Sequence, residues 1–197
     1  MDKREVRRLM RERKRAVPID EKLRRSDIIM HRLEHTLDFA AAQVVLLYWS
    51  MDDEVQTHEF VERWYRQKTL LLPCVQGDDL VLRQYTGPEC MVSGEQFGIG
   101  EPAGRDRKGA AGSDEWTDLE AVQLIAVPGV AFDPAGNRMG RGRGFYDRLL
   151  KSTPNAVKIG LAYAFQMLDT IPTEPHDVRM DLVLTDAPMQ IAEDWNK

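Results

Sequence analysis

Short, nearly uninterrupted apolar runs alternate with amphipathic stretches along this chain, and that alternation restricts its fold more than any other feature. Val44–Trp49, Thr69–Val75, Val122–Val127, Ala156–Leu161 and Leu182–Thr185 read as strands buried on both faces. A turn at Gly77-Asp78-Asp79 leads to a further strand over Leu80–Tyr85. Between them lie helical patterns. The first spans about residues 2 to 16, with a narrow stripe of Val6, Leu9 and Met10. Pro18 interrupts it. The second runs from about Asp20 to Thr36, with Leu23, Ile28, Leu33 and Leu37 at helical spacing. Thr57 is placed to cap a third, reaching about Gln67 and burying Phe60, Val61 and Trp64. Phe145–Lys151 is a fourth. The pattern predicts one α/β domain, a three-layer sandwich around a mostly parallel central sheet with Rossmann-like topology. Right-handed crossovers would gather the loops that follow strands on one sheet edge, bringing Trp49–Glu54 beside Gly129–Gly144. Residues 86 to 120 have little periodicity and read as a long loop region.

The second of those loops carries the strongest chemical signal. In Arg138-Met139-Gly140-Arg141-Gly142-Arg143-Gly144-Phe145-Tyr146-Asp147, three alternating glycines let backbone amides approach an anion. Arg138, Arg141 and Arg143 add positive charge, and a helix begins directly after. The stretch is neither a Walker A loop nor a Gly-x-Gly-x-x-Gly dinucleotide motif. By itself it indicates a polyphosphate or another anion. It also leaves open an Arg-Gly nucleic-acid segment, although it occurs once, in an acidic protein.

Charge is unevenly spread. Residues 1 to 15 hold eight Lys/Arg against three acids, so this arm carries +5 in a chain of net charge −5, which leaves −10 for the remainder. The arm is expected to meet an anionic ligand or the acidic body itself. Lys3 and Arg7, four residues apart, share a helical face and could close over a phosphate chain. Cys74 and Cys90 have neither metal-site nor disulfide-framework spacing, and no apolar run reaches membrane-spanning length. A cytoplasmic setting is expected, with no membrane or nucleic-acid partner and a monomeric state.

Two further constellations bear on chemistry. Tyr48-Trp49-Ser50-Met51-Asp52-Asp53-Glu54 could form a flat slot with a hydrogen-bonding carboxylate; core aromatics before a polar capping turn would leave the same trace. Asp147, in the first turn of the helix after the glycine loop, and Asp181, just before the last strand, would suit magnesium beside a polyphosphate. Nothing supports covalent catalysis: Gly-x-Ser-x-Gly is absent, neither cysteine has a histidine nearby, and no histidine pair has metal-ligand spacing.

Taken in order, these segments resemble the 5-formyltetrahydrofolate cyclo-ligase (methenyltetrahydrofolate synthetase) family. The resemblance runs through Lys3-Arg4-x-x-Arg7, Ser50-Met51-x-x-Glu54-Val55-x-Thr57, and Val127-Pro128-Gly129-Val130-Ala131-Phe132-Asp133. It continues through Gly136 to Asp147, Gly160-Leu161-Ala162-Tyr163-x-x-Gln166, and His176-Asp177 with Met180-Asp181. It implies conversion of 5-formyltetrahydrofolate to 5,10-methenyltetrahydrofolate with ATP and Mg2+, releasing ADP and phosphate, on a substrate with or without a polyglutamate tail. It further implies that Lys3, Arg4 and Arg7 contact ATP. Arg138, Met139, Gly140, Arg141, Gly142, Arg143, Gly144, Phe145 and Tyr146 would wrap the phosphates and face the formyl group, with Arg141, Arg143 and Tyr146 at the reacting atoms. Trp49, Met51, Glu54 and Phe145 would hold the folate, and Asp147 and Asp181 the magnesium. Two positions depart from the family pattern: Phe145 stands where tyrosine is usual, and Ala131 where glycine is. A kinase or ligase acting on another small molecule, or a non-catalytic module binding anions or RNA through the basic arm, would share the loop and arm without the folate chemistry.

Overall fold

Six strands form the central sheet of the computed structural model, which describes residues 1–94, 99–105 and 112–188. In chain order they are β1 (Val44–Leu46), β2 (Thr69–Gln76), β3 (Asp79–Gln84), β6 (Leu124–Val127), β9 (Val157–Leu161) and β10 (Leu182–Leu184). They lie side by side as β10-β9-β6-β1-β2-β3. All neighbours are parallel except β2 and β3, which form an antiparallel hairpin at one edge. From β1 the chain adds strands first toward β2 and β3, then returns to the other side of β1 with β6, β9 and β10. The order of addition therefore reverses between β1 and β6. Loops leaving the carboxyl ends of those two strands diverge there and open a crevice.

Strand alternation sorts the core into the two faces a three-layer sandwich requires. Val45, Leu47, Leu70, Leu72, Leu124, Ala126 and Ile159 pack on one side against Ile29, Met30 and Leu33 of α2 (Ile19–Glu34), Phe39 of α3 (Leu37–Ala41), and Phe60 and Val61 of α4 (His58–Trp64). Leu46, Leu71, Ile125 and Val127 point the other way, toward Leu149 and Leu150 of α5 (Phe145–Ser152). Both faces being covered explains why these strands read as continuous apolar runs rather than alternating ones.

The helix α1 (Lys3–Ala16) lies apart from both layers. Asp2 and Glu5 form a capping box at its start: the Asp2 carboxylate accepts from the Arg4 and Glu5 N–H groups, and Glu5 accepts from the Asp2 N–H. Its two fully buried apolar side chains, Val6 and Met10, pack on Ala131 and Met139 of the small hairpin β7 (Ala131–Phe132) and β8 (Arg138–Met139). Burying each contributes about 1.5–3 kcal/mol, so that narrow stripe is enough to dock the arm over the crevice.

Several local expectations change. The second helix ends at Glu34, and Thr36 caps the separate α3, which leaves Leu37 exposed instead of on the apolar face expected for it. Thr57 occupies the N-cap of α4 but makes no capping bond; its hydroxyl donates to the buried Tyr48 carbonyl at the end of β1. The expected long loop contains the hairpin β4 (Met91–Ser93) and β5 (Gly100–Pro102), while its residues 95–98 and 106–111 lie outside the described residues. His58, at the start of α4, is half-buried and stacked on Trp49 at 4.0 Å.

Candidate active site

A cavity of about 370 Å3 lies where the order of strand addition reverses. Tyr48, Trp49, Met51 and Glu54 enter it from the end of β1, and Pro128 and Gly129 from the end of β6. The Arg138–Asp147 segment closes one side, and Lys3 and Arg7 of α1 reach over it. Val75, Leu80 and Ile99 add an apolar wall, while Glu174, His176 and Asp177 complete the rim. The structure thus brings together the basic arm, the glycine loop and the Trp49–Glu54 loop. Arg4 remains outside: it is exposed on the other side of α1 and does not reach the cavity.

The Trp49–Glu54 turn is locked by its own polar groups. Ser50 Oγ accepts the Thr57 N–H, Gln56 Nε2 donates to the Met51 and Glu54 carbonyls, and Glu54 Oε2 accepts the Met51 N–H at 3.1 Å. The Glu54 side chain is only 10% exposed, so its carboxylate is held in place at the cavity wall. Trp49 is less open than a bare stacking platform. His58 lies against one face, and Tyr85 is parallel to it at 5.9 Å. A side chain at Gly100 would come within 3.1 Å of its indole nitrogen.

The glycine loop adopts backbone that other residues resist. Gly142 has φ +105° and Gly144 φ +70°, and a Cβ at Gly142 would also crowd the Arg7 guanidinium at 3.2 Å. Arg7 in turn donates from Nε to the Gly140 carbonyl at 3.2 Å, tying the arm to the loop. Gly144 is the N-cap of α5, so the unpaired first-turn amides of that helix begin at the cavity wall.

The loop arginines differ in role. Arg138 is buried, donates to Asp147 Oδ1 at 2.8 Å and to the Pro128 carbonyl at 3.3 Å, and lies 5.7 Å over the Tyr146 ring. It braces the loop more than it faces the open cavity, and its Nε lacks a partner among the described residues. Arg141 is half exposed and pairs with Asp53 at 2.6 Å and Glu54 at 3.2 Å. Arg143 is the least committed: it lies 5.1 Å from the Phe145 ring centre, and the carboxylate it reaches, Asp78, is 3.9 Å away. Phe145 therefore serves as an aromatic face for Arg143 and Arg148, a role that needs no hydroxyl at this position. Burial, followed by the Glu54 carboxylate, raises the Tyr146 hydroxyl well above the usual tyrosine range, with Arg138 opposing in part. Tyr146 is a neutral hydrogen-bond donor near neutral pH.

The expected pairing of Asp147 with Asp181 does not form. Asp181 precedes β10 on the opposite sheet edge, where its Oδ2 accepts the Lys158 N–H at 2.7 Å and its own N–H donates to the Lys158 carbonyl. That carboxylate helps align β10 on β9 and does not line the cavity. The second aspartate at the cavity with Asp147 is Asp177, four residues earlier. Asp177 accepts from the Glu174 N–H at 2.7 Å and lies 3.5 Å from Lys3 Nζ, which also pairs with Glu174 at 3.2 Å. The His176-Asp177 dipeptide was visible in the sequence, but only the path of the 174–177 turn shows which aspartate faces inward.

The family model described as the 5-formyltetrahydrofolate cyclo-ligase family matches residues 1–186. A 5-formyltetrahydrofolate cyclo-ligase of Haemophilus influenzae is 34% identical over 143 residues, covering 70% of this chain and 72% of its own. The mouse protein of the same name is 29% identical over 192 residues, covering 92% of both. The solved structure of Aquifex aeolicus 5,10-methenyltetrahydrofolate synthetase superposes with a TM-score of 0.82 at 32% identity, covering 95% of this chain and 91% of that one. Matched from the arm through β10, this chain belongs to the 5-formyltetrahydrofolate cyclo-ligase family of enzymes.

Proposed function

We propose that this enzyme converts 5-formyltetrahydrofolate to 5,10-methenyltetrahydrofolate with ATP and Mg2+, releasing ADP and phosphate. The observation that carries the reading is the shared cavity. A glycine-spaced cationic loop suited to phosphates stands across from a fixed, nearly buried carboxylate and an apolar wall suited to a pterin. The formyl oxygen is a poor leaving group. Transfer of the terminal phosphoryl group onto it makes a good one; attack by folate N10, with loss of its proton, closes the ring, and the C–O bond breaks as phosphate departs.

The protein contributes positioning and charge. Backbone amides of Gly140–Gly144 and the start of α5 cradle the phosphates. Arg143 and Arg141 neutralise the transferring group, and Lys3 and Arg7 close over the chain from α1. Glu54 accepts hydrogen bonds from the pterin, and Tyr146 donates one from its protonated hydroxyl. Asp147, whose Oδ2 has no partner among the described residues, and Asp177 fit a magnesium ion that needs one or two carboxylates besides phosphate oxygens. The ion would neutralise phosphate charge. Among the described residues no helix is long and apolar enough to cross a membrane, and the buried free thiols Cys74 and Cys90 suit a reducing cytoplasm.

Purified protein with ATP, magnesium and 5-formyltetrahydrofolate should give the methenyl absorbance, and omission of any one should abolish it. ATP hydrolysis at the same rate without the folate would overturn the reading. Glu54→Gln is expected to weaken folate binding about tenfold, through loss of a charge-assisted hydrogen bond, with little change in ATP affinity. An unchanged folate dissociation constant would remove Glu54 from the pocket. Asp177→Asn is expected to raise the magnesium requirement. Asp181→Asn should leave it unchanged, because that side chain lies off the cavity.

A further inference from the structure

Four alternating charges run from α1 into the cavity: Lys14, Asp53, Arg141, Glu54. Lys14 Nζ lies 3.0 Å from Asp53 Oδ2, Arg141 Nη2 lies 2.6 Å from Asp53 Oδ1, and the same Nη2 lies 3.2 Å from Glu54 Oε1. Arg141 and Glu54 line the cavity; Lys14 and Asp53 do not. The Lys14 side chain is 7% exposed, and Asp53 is its one carboxylate contact among the described residues. One oxygen of Asp53 therefore fixes the arm, and the other holds the glycine-loop arginine.

We propose that Asp53, anchored by Lys14, is a positioning residue that draws Arg141 away from Glu54 so that the Glu54 carboxylate remains available to the folate. This rests on the folate reading of the cavity. A guanidinium beside two carboxylates divides its hydrogen bonds between them, and the 2.6 Å contact takes the larger share from the 3.2 Å one. Without the Asp53 charge, the carboxylate that remains within reach of Arg141 is Glu54. Glu54 is nearly buried and already accepts the Met51 N–H through its other oxygen. A full ion pair on Oε1 would leave it little capacity for a ligand. Asp53 thus governs substrate binding without touching substrate.

The test is a double-mutant cycle read as the dissociation constant for 5-formyltetrahydrofolate in the absence of nucleotide, which separates it from turnover. Asp53→Asn is expected to weaken binding about tenfold. In an Arg141→Met background the same change is expected to have less than about a twofold effect, because no guanidinium remains to collapse onto Glu54. Asp53→Asn combined with Lys14→Met removes the ammonium left buried and unpaired, and should bind as weakly as Asp53→Asn alone. Asp53→Glu should restore most of the affinity. Equal weakening by Asp53→Asn with and without Arg141, or no weakening at all, overturns the proposal while leaving the folate reading intact. Failure of the wild-type protein to bind 5-formyltetrahydrofolate overturns both.

Discussion

Arg143→Ala is expected to lower turnover about a hundredfold while leaving the melting temperature within error of the wild type. Removing one preorganised charge from a developing anionic transition state typically costs about 2.7–4 kcal/mol, equivalent to two to three orders of magnitude in rate. Arg143 is the loop arginine best placed to show this in isolation. Its side chain is half exposed, its carboxylate neighbour Asp78 is 3.9 Å away and fully solvated, and its other contact is the Phe145 ring. An exposed pair of that length contributes little to stability, so the loss should fall on the chemistry. Arg143→Lys should recover part of the rate through the charge but not the planar stacking on Phe145. Wild-type turnover in Arg143→Ala would remove this residue from the mechanism and leave Arg141 as the remaining loop cation.

Arg138→Met should have the opposite signature, a large loss of stability. Arg138 is 5% exposed and joins three parts of the site through Asp147, the Pro128 carbonyl and the Tyr146 ring. Removing one member of a buried ion pair typically costs about 3–5 kcal/mol. Asp147 retains some solvent contact, which places the expected cost near the lower figure, about 3 kcal/mol. For a chain of this length that corresponds to a fall in melting temperature of roughly 10 °C. Adding Asp147→Asn should recover part of the stability, because it neutralises the carboxylate left behind, but not the activity. A melting temperature unchanged in Arg138→Met would show that the pair braces nothing.

What the sequence made legible follows from where information is local. Continuous apolar runs exposed the parallel strands because helices cover both faces, and alternating glycines beside arginines singled out the loop that lines the cavity. The small hairpins were not legible. The β4–β5 and β7–β8 pairs have strands of three and two residues, too few to show a period. The break between α2 and α3 was hidden because Leu37 continued the helical spacing of Leu33 and yet projects into solvent once Thr36 starts a new helix.

The site divides the same way. Lys3, Arg7, Glu54 and the 138–147 loop converge as their segments suggested. Arg4 does not, because only one face of α1 meets the cavity. Asp181 looked equivalent to Asp177 as an acid near the last strand, but its role is set by Lys158 on the neighbouring strand, a partner 23 residues away. Arg138 read as one loop cation among several, and only its burial against Asp147 marks it as a brace. Asp53 and Lys14, 39 residues apart, share no motif that would pair them; docking α1 brings them together.

The most direct test of the central claim is a crystal structure with a non-hydrolysable ATP analogue and 5-formyltetrahydrofolate bound together. The account predicts the triphosphate against the Gly140–Gly144 amides, the pterin hydrogen-bonded to Glu54, and the terminal phosphate facing the formyl oxygen. Phosphates seated elsewhere, with that loop facing bulk solvent and the pterin away from Glu54, would contradict it.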